Sequence, residues 1–257
     1  DLGARQLQRL SQSVGAILRE TLKRLPYTPP PAPIPVLYIE TDGTGVPMTK
    51  AALEAVKGRG PDGKAKTREV KAACFFTQTG PDEKGRPRRD EGSTTWIAGF
   101  ESAADFGPRL RDEALRRGSA RAQRVVFLGD GAAWIWELAR NYFPGATCIL
   151  DFWHASEYLG EMAKLVHPQD AEASRTLYEY WKGELAESRL EAILAAAKEH
   201  QARMALSPSP ASEAMEKKIA YLENNRSRMD YARYRREGLF IGSGIVEAGL
   251  RIKMMGD

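Results

Sequence analysis

The sequence predicts an α/β fold, a mixed five-stranded sheet flanked by helices, with an all-α insertion before a last helix. Three observations lead there. Up to residue 154 short β-rich runs outnumber helical ones. From 155 to 236 helical periodicity takes over almost without a break. Between them, RVVFLGDGAAWIWELARNYFPGATCILDFWH (124–154) reads as strand, turn, helix, strand, with an acid at the end of each strand. Ligand sites in open α/β sheets lie beyond the carboxyl ends of strands. Asp130, Asp151 and His154 are therefore the first candidates for chemistry.

Residues 2–25 place Leu7, Leu10, Val14, Ile17, Leu18 and Leu22 at spacings of three and four, an amphipathic helix. PYTPPPAPIP (26–35) follows. Proline removes donors and restricts its predecessor, so this is a stiff linker and a domain boundary after residue 35. The first strand, 36–42, is expected to stop at Asp42-Gly43-Thr44-Gly45, where glycines permit a tight turn beside a carboxylate. A second strand covers 67–79 and a third lies near 94–99, each after a charged, glycine-bearing loop. Residues 102–118 open with Ser-x-x-Asp, carry an apolar stripe and stop at glycine, which are helix signals. Strand four is 124–128, a helix covers 134–142, and strand five is 146–150. The first three strands need no crossover helix and can be antiparallel. The fourth and fifth need one and should be parallel.

The chain thus divides into 1–35, a core beginning at 36–154, a helical block at 155–237 and a final helix in 238–257. Three or four helices are expected in the block, with a break at SPSPAS (207–212). Ser243 can cap the last helix, with Glu247 in its first turn.

Composition sets the outer limits. With 257 residues and 42% hydrophobic content the chain can bury a real core. A formal charge of +4 permits a nucleic-acid partner without demanding one. Cys74 and Cys148 sit in apolar runs and read as buried, reduced thiols rather than a disulfide framework. No apolar stretch approaches the roughly 18 residues of a membrane span. The first residues carry neither methionine nor a secretory apolar region, as in an interior piece of a cytosolic protein.

Asp42, Asp130 and Glu247 each fall at a strand end or helix start, beside or near glycine. Three convergent carboxylates repel one another, and hard divalent cations relieve the repulsion. Mg²⁺ takes oxygen ligands and keeps its other faces for water or phosphate. Two such ions suit displacement at a phosphodiester. Any one Asp-Gly pair is by itself an ordinary turn, so the force lies in the combination. A carboxylate pair could also be the acid and base of a glycosidase, with Trp134, Trp136 and Trp153 stacking on sugars, but nothing else suggests a sugar site. Asp151 and His154 are too few for a closed zinc site and read as a hydrogen-bonded structural pair. Arg226, Arg228, Arg233, Arg235 and Arg236 interleave with Tyr221, Tyr231 and Tyr234. Arginine grips phosphate and tyrosine stacks on bases, so this stretch is either a DNA contact or a solvated helix face.

The runs YIETDGTGVPM, REVKAACFFTQ, LGDGAAWIWELARNYFPGATCILDFWHASEYL and YARYRREGLFIGSGIVEAG resemble bacterial insertion-sequence transposases of the ISKra type, relatives of the Mutator-like DDE transposases. The resemblance covers roughly residues 36–249. It implies an RNase H-like catalytic domain with Asp42, Asp130 and Glu247 as first, second and third acids. It also implies two Mg²⁺ ions, for which Mn²⁺ can substitute. Asp151 and His154 match an accessory Cys-or-Asp-x-x-His motif of the wider group, and the helical block matches its all-α insertion. Partners would be double-stranded DNA at transposon ends and target, with a homo-oligomer forming on DNA in the bacterial cytoplasm.

The family usually carries an upstream DNA-binding region and a longer basic stretch after the third acid. This chain therefore reads as truncated at both ends. The expected activity is Mg²⁺-dependent strand cleavage and strand transfer. The alternative is a catalytically inactive remnant that binds DNA or self-associates, and a stand-alone nuclease is a third possibility.

Overall fold

A computed structural model describes residues 34–48, 67–205 and 209–244. The expected helix over 2–25 and most of the proline linker lie outside the described residues. So does Glu247.

Five strands form one mixed sheet in the order β3-β2-β1-β4-β5. They are β1 (Ile34–Pro47), β2 (Thr67–Gln78), β3 (Thr95–Gly99), β4 (Ala122–Gly129) and β5 (Thr147–Leu150). β1 with β2 and β2 with β3 pair antiparallel, while β1 with β4 and β4 with β5 pair parallel, as the connections dictate. This strand order, with helical crossovers between β3, β4 and β5, is consistent with an RNase H-like arrangement.

Helix α1 (Ala103–Arg116) starts where Ser102 accepts the amide of Asp105, and the chain leaves it through Gly118 at φ 89°. Helix α2 (Ala133–Tyr142) follows β4. Successive strand side chains point to opposite faces. On one face Ile39, Phe75 and Phe127 meet the α1–α2 layer, where Phe106 lies edge-on to Trp134 and Phe127 tilts against Phe143. On the other face Tyr38 stacks on Phe76 at 4.7 Å, and both meet the ring of Phe240 edge-on.

The helical block holds α3 (Phe152–Val166), α4 (Ala171–Ala186), α5 (Leu190–Ala205), α6 (Pro210–Asn225) and the short α7 (Tyr231–Arg236). Packing pairs α3 with α4, α5 with α6, and α3 with α6. The expected break at SPSPAS falls between α5 and α6, and Ser209 caps α6 by accepting the amide of Ser212. Among the described residues the block holds five α-helices and a 3-10 turn at Arg226–Arg228, rather than three or four helices, and it begins at Phe152 because Asp151 caps it there.

β1 differs most from expectation. It starts at Ile34, so Ile34 and Pro35 belong to the sheet and not to the linker. It also runs through Asp42-Gly43-Thr44-Gly45 without turning, because β2 pairs with it as far as Pro47↔Thr67. The glycines serve close approach within a strand. A Cβ on Gly43 would lie 2.9 Å from Glu69 Oε1 and 3.2 Å from Trp134 Cζ2.

Candidate active site at the strand ends

The parallel ladders stop on one row. The last β1–β4 pair is Thr41↔Gly129, and the last β4–β5 pair is Gly129↔Leu150. The next residue of each strand is an aspartate: Asp42, Asp130 and Asp151. Neighbouring strands lie about 4.8 Å apart, so three acids stand side by side across the carboxyl end of the sheet.

The three are held differently. Asp42 stays within β1, opposite Ala72, and its Oδ1 accepts the amide of Gly43 at 2.7 Å. Asp130 leaves the sheet. Its Oδ1 accepts the amide of Ala132 at 2.9 Å, and Gly131 turns the chain at φ 97°. That leaves Asp130 Oδ2 for another ligand among the described residues. Both side chains are half-buried.

Asp151 is buried and fully engaged. Its Oδ1 accepts the amides of Trp153 at 2.6 Å and His154 at 3.1 Å, which caps α3. Its Oδ2 accepts the amide and hydroxyl of Ser243. Asp151 thus ties the returning chain, four residues before Glu247, to the strand ends. His154 meets Asp151 only through its backbone. Its ring faces Tyr158 at 5.7 Å, and Nδ1 is 3.8 Å from Glu157. Asp151 and His154 are thus hydrogen-bonded through the His154 amide and not through its ring, because the carboxylate is taken up by amides and Ser243.

Tyr221, on α6, donates to the backbone oxygen of Asp130 and stacks on Tyr158. Burial pushes the Tyr221 phenol well above the usual tyrosine range, with Tyr158, Asp130 and Asp151 adding to it. Tyr158 is raised too, by burial first and then by Glu161 and Asp130. Both phenols therefore stay protonated donors beside the acids. No sequence signal links Tyr221 to Asp130, since they are 91 positions apart. Glu40 was also passed over. It is fully buried, two residues before Asp42 and so on the same sheet face.

The arginine–tyrosine stretch splits in two. Tyr231 and Tyr234 are core side chains, 0% and 1% exposed, whose hydroxyls donate to the carbonyls of Leu150 and Cys148. They brace β5 and cannot stack on bases, which corrects the sequence reading. Their spacing of three puts both on the inner face of α7. Of the arginines, Arg226, Arg233, Arg235 and Arg236 lie outward, while Arg228 is half-buried. Arg226 pairs with Glu191, and Arg235 bonds the Ala186 carbonyl and Glu187. Arg228 lies over the Trp136 ring at 4.5 Å, and burial lowers its pKa from the ordinary value.

Among the described residues, no three His, Cys, Asp or Glu side chains gather as a metal-holding group. Asp42 and Asp130 nonetheless supply the donor chemistry a hard cation prefers, carboxylate oxygens from adjacent strands. No described helix is long and apolar enough to cross a membrane. Comparison of the chain with family models and with curated proteins gives no match.

Proposed function

We propose that this chain is the catalytic core of a DDE-type transposase, which cuts DNA at the ends of an insertion sequence and joins the freed 3′ ends to target DNA. One observation carries the reading. Asp42 and Asp130 follow directly on the last paired row of β1 and β4, so two aspartates from separate runs of sequence stand on adjacent strands. The resemblance of those runs to ISKra-type transposases supplies the third acid, Glu247.

Held by Asp42, Asp130 and Glu247, two Mg²⁺ ions (or Mn²⁺) would supply an activated water or hydroxyl and offset the charge that builds at the phosphodiester. The chain's own residues prepare that site. The Ala132 amide orients the Asp130 carboxylate. Tyr221 fixes the loop from outside. Asp151 anchors Ser243, where the segment leading to Glu247 begins. Arg226, Arg228 and Arg235 are the block's groups for phosphate contact, and double-stranded DNA is the partner. A homo-oligomer assembling on DNA in a bacterial cytoplasm fits this reading.

The test is metal-dependent cleavage of duplex DNA carrying an element end, by the full chain and by Asp42→Ala and Asp130→Asn. Both variants should keep the fold and lose cleavage. Cleavage that survives in either sinks the assignment. Hydrolysis without strand transfer would favour a stand-alone nuclease. Duplex binding without any cutting by the wild type would favour a remnant.

A further inference from the structure

Trp153 differs from the other four tryptophans. Trp136 and Trp181 are buried, Trp96 and Trp134 are half-buried, and Trp153 is 57% exposed. It does not dangle. A Cβ on Gly242 would lie 2.7 Å from its Cδ1, so the ring is set against a backbone that only glycine allows. Phe152 meets it edge-on at 5.3 Å. The Lys182 ammonium is 5.4 Å from its centroid and 5.3 Å from that of Tyr178. Among the described residues Lys182 has no carboxylate partner, so its charge is available.

A cleft of about 710 Å³ opens at the ring, with Arg86, Arg235 and Phe240 along its walls. The walls add cations and a further aromatic ring. Both arginines already hold carboxylates, Asp82 and Glu187, but a guanidinium has donors to spare for phosphate. Trp153 is also close to the acid row, since its amide bonds the Asp151 carboxylate.

We infer that Trp153 is a stacking platform for an unpaired base of a nucleic-acid strand, with Lys182 beside it as a phosphate contact. A rigid exposed indole, an available ammonium and arginine-lined walls suit a chain of flat rings joined by anions. They suit an uncharged sugar or an acidic peptide less well, because neither brings both a π-face and a phosphate. Base–aromatic stacking tolerates any sequence, since every base has a π-face. The inference rests on the nucleic-acid reading of the strand-end site and extends it to unpaired nucleotides beside that site.

The test uses the full chain and a fluorescein-labelled single-stranded oligodeoxynucleotide of about a dozen bases, read by anisotropy. Trp153→Ala should weaken binding roughly tenfold, while Trp153→Phe should stay within about threefold. Lys182→Met should flatten the salt dependence by about one released counterion. Trp153 is exposed, so both variants are expected to fold, and circular dichroism checks that. Single-strand binding unchanged in Trp153→Ala overturns the platform, and so do equal losses in the Ala and Phe variants. If duplex DNA is still cut in a metal-dependent way in those cases, the transposase reading survives. If the wild type binds neither single-stranded nor duplex DNA, both inferences fall together.

Discussion

The phenolic hydroxyl of Tyr221 donates a 2.6 Å hydrogen bond to the backbone carbonyl oxygen of Asp130. The ring is fixed by its stack on Tyr158, with centroids 3.9 Å apart and planes 9° from parallel. Helix α6 therefore bears directly on the Gly-Asp-Gly loop, although the two are far apart in sequence. Tyr221→Phe removes the donor and leaves a part-buried carbonyl short of a partner, so a loss of about 1–2 kcal/mol is expected in urea unfolding. DNA cleavage should slow through kcat with KM little changed, because the loop holds Asp130 and not the substrate. A variant as stable and as fast as the wild type would show that the bond contributes nothing.

Gly131 is the loop's tightest point. At φ 97° a Cβ is strained, and it would lie 2.5 Å from the Tyr221 hydroxyl and 2.7 Å from Cε2. Gly131→Ala should cost about 2–3 kcal/mol, from both backbone strain and crowding. In a Tyr221→Ala background the crowding is gone, so the same change should cost clearly less. A double-mutant cycle with no coupling would exclude this contact as the cause.

Asp151 receives bonds on both oxygens, two from the start of α3 and two from Ser243. Asp151→Ala strands all four donors and should cost about 3–4 kcal/mol, combining a lost cap with unsatisfied buried groups. Asp151→Asn keeps one acceptor but turns an amide toward Ser243, so about 2 kcal/mol is expected. Guanidinium unfolding monitored by tryptophan fluorescence measures both. Near-wild-type stability of the Ala variant would refute the clamp.

The loop between β2 and β3 hangs on Asp90, which accepts from the hydroxyls of Thr77 and Thr79 and from the Thr79 amide. Partial burial raises the Asp90 pKa, but these bonds outweigh it and the net shift is below the ordinary 3.8. A folded-state pKa depressed in this way stabilises the fold above the unfolded value and loses that contribution as pH falls through the folded one. Asp90→Asn should therefore be less stable than the wild type near neutral pH, with the gap closing below pH 3.8. A gap that stays constant down to strongly acidic pH would contradict this.

Much of the fold was legible because local signals and global pairing agree. Ser102 with Asp105, the apolar stripe and Gly118 marked α1 within a residue or two. Two apolar runs separated by a helix marked β4 and β5. The errors came where neighbours distant in sequence decide. Asp42-Gly43-Thr44-Gly45 reads as a turn by composition, yet β2 keeps it extended and the glycines make room for Glu69 and Trp134. Tyr231 and Tyr234 share a face by their spacing, but spacing alone does not say which face is buried. Of the candidate site, the aspartates just beyond the parallel ladders were legible, although Asp42 lies within β1 and not at its end. The link from Tyr221 and the double duty of Asp151 were not, because each depends on a return of the chain about ninety positions later.

The clamp between Asp151 and Ser243 also bears on how the molecule reaches its native state. Chain departure and chain arrival are fastened to one carboxylate, 92 positions apart. Contacts within the helices and between β4 and β5 need only short closures, so they can gather early. The Asp151–Ser243 bonds demand a long closure and return their energy only once Tyr221 and Tyr231 have docked the block on the sheet. Assembly of the strand-end site is thus a late event in folding, and a chain arrested before it would be rich in secondary structure yet lack the joined acid row.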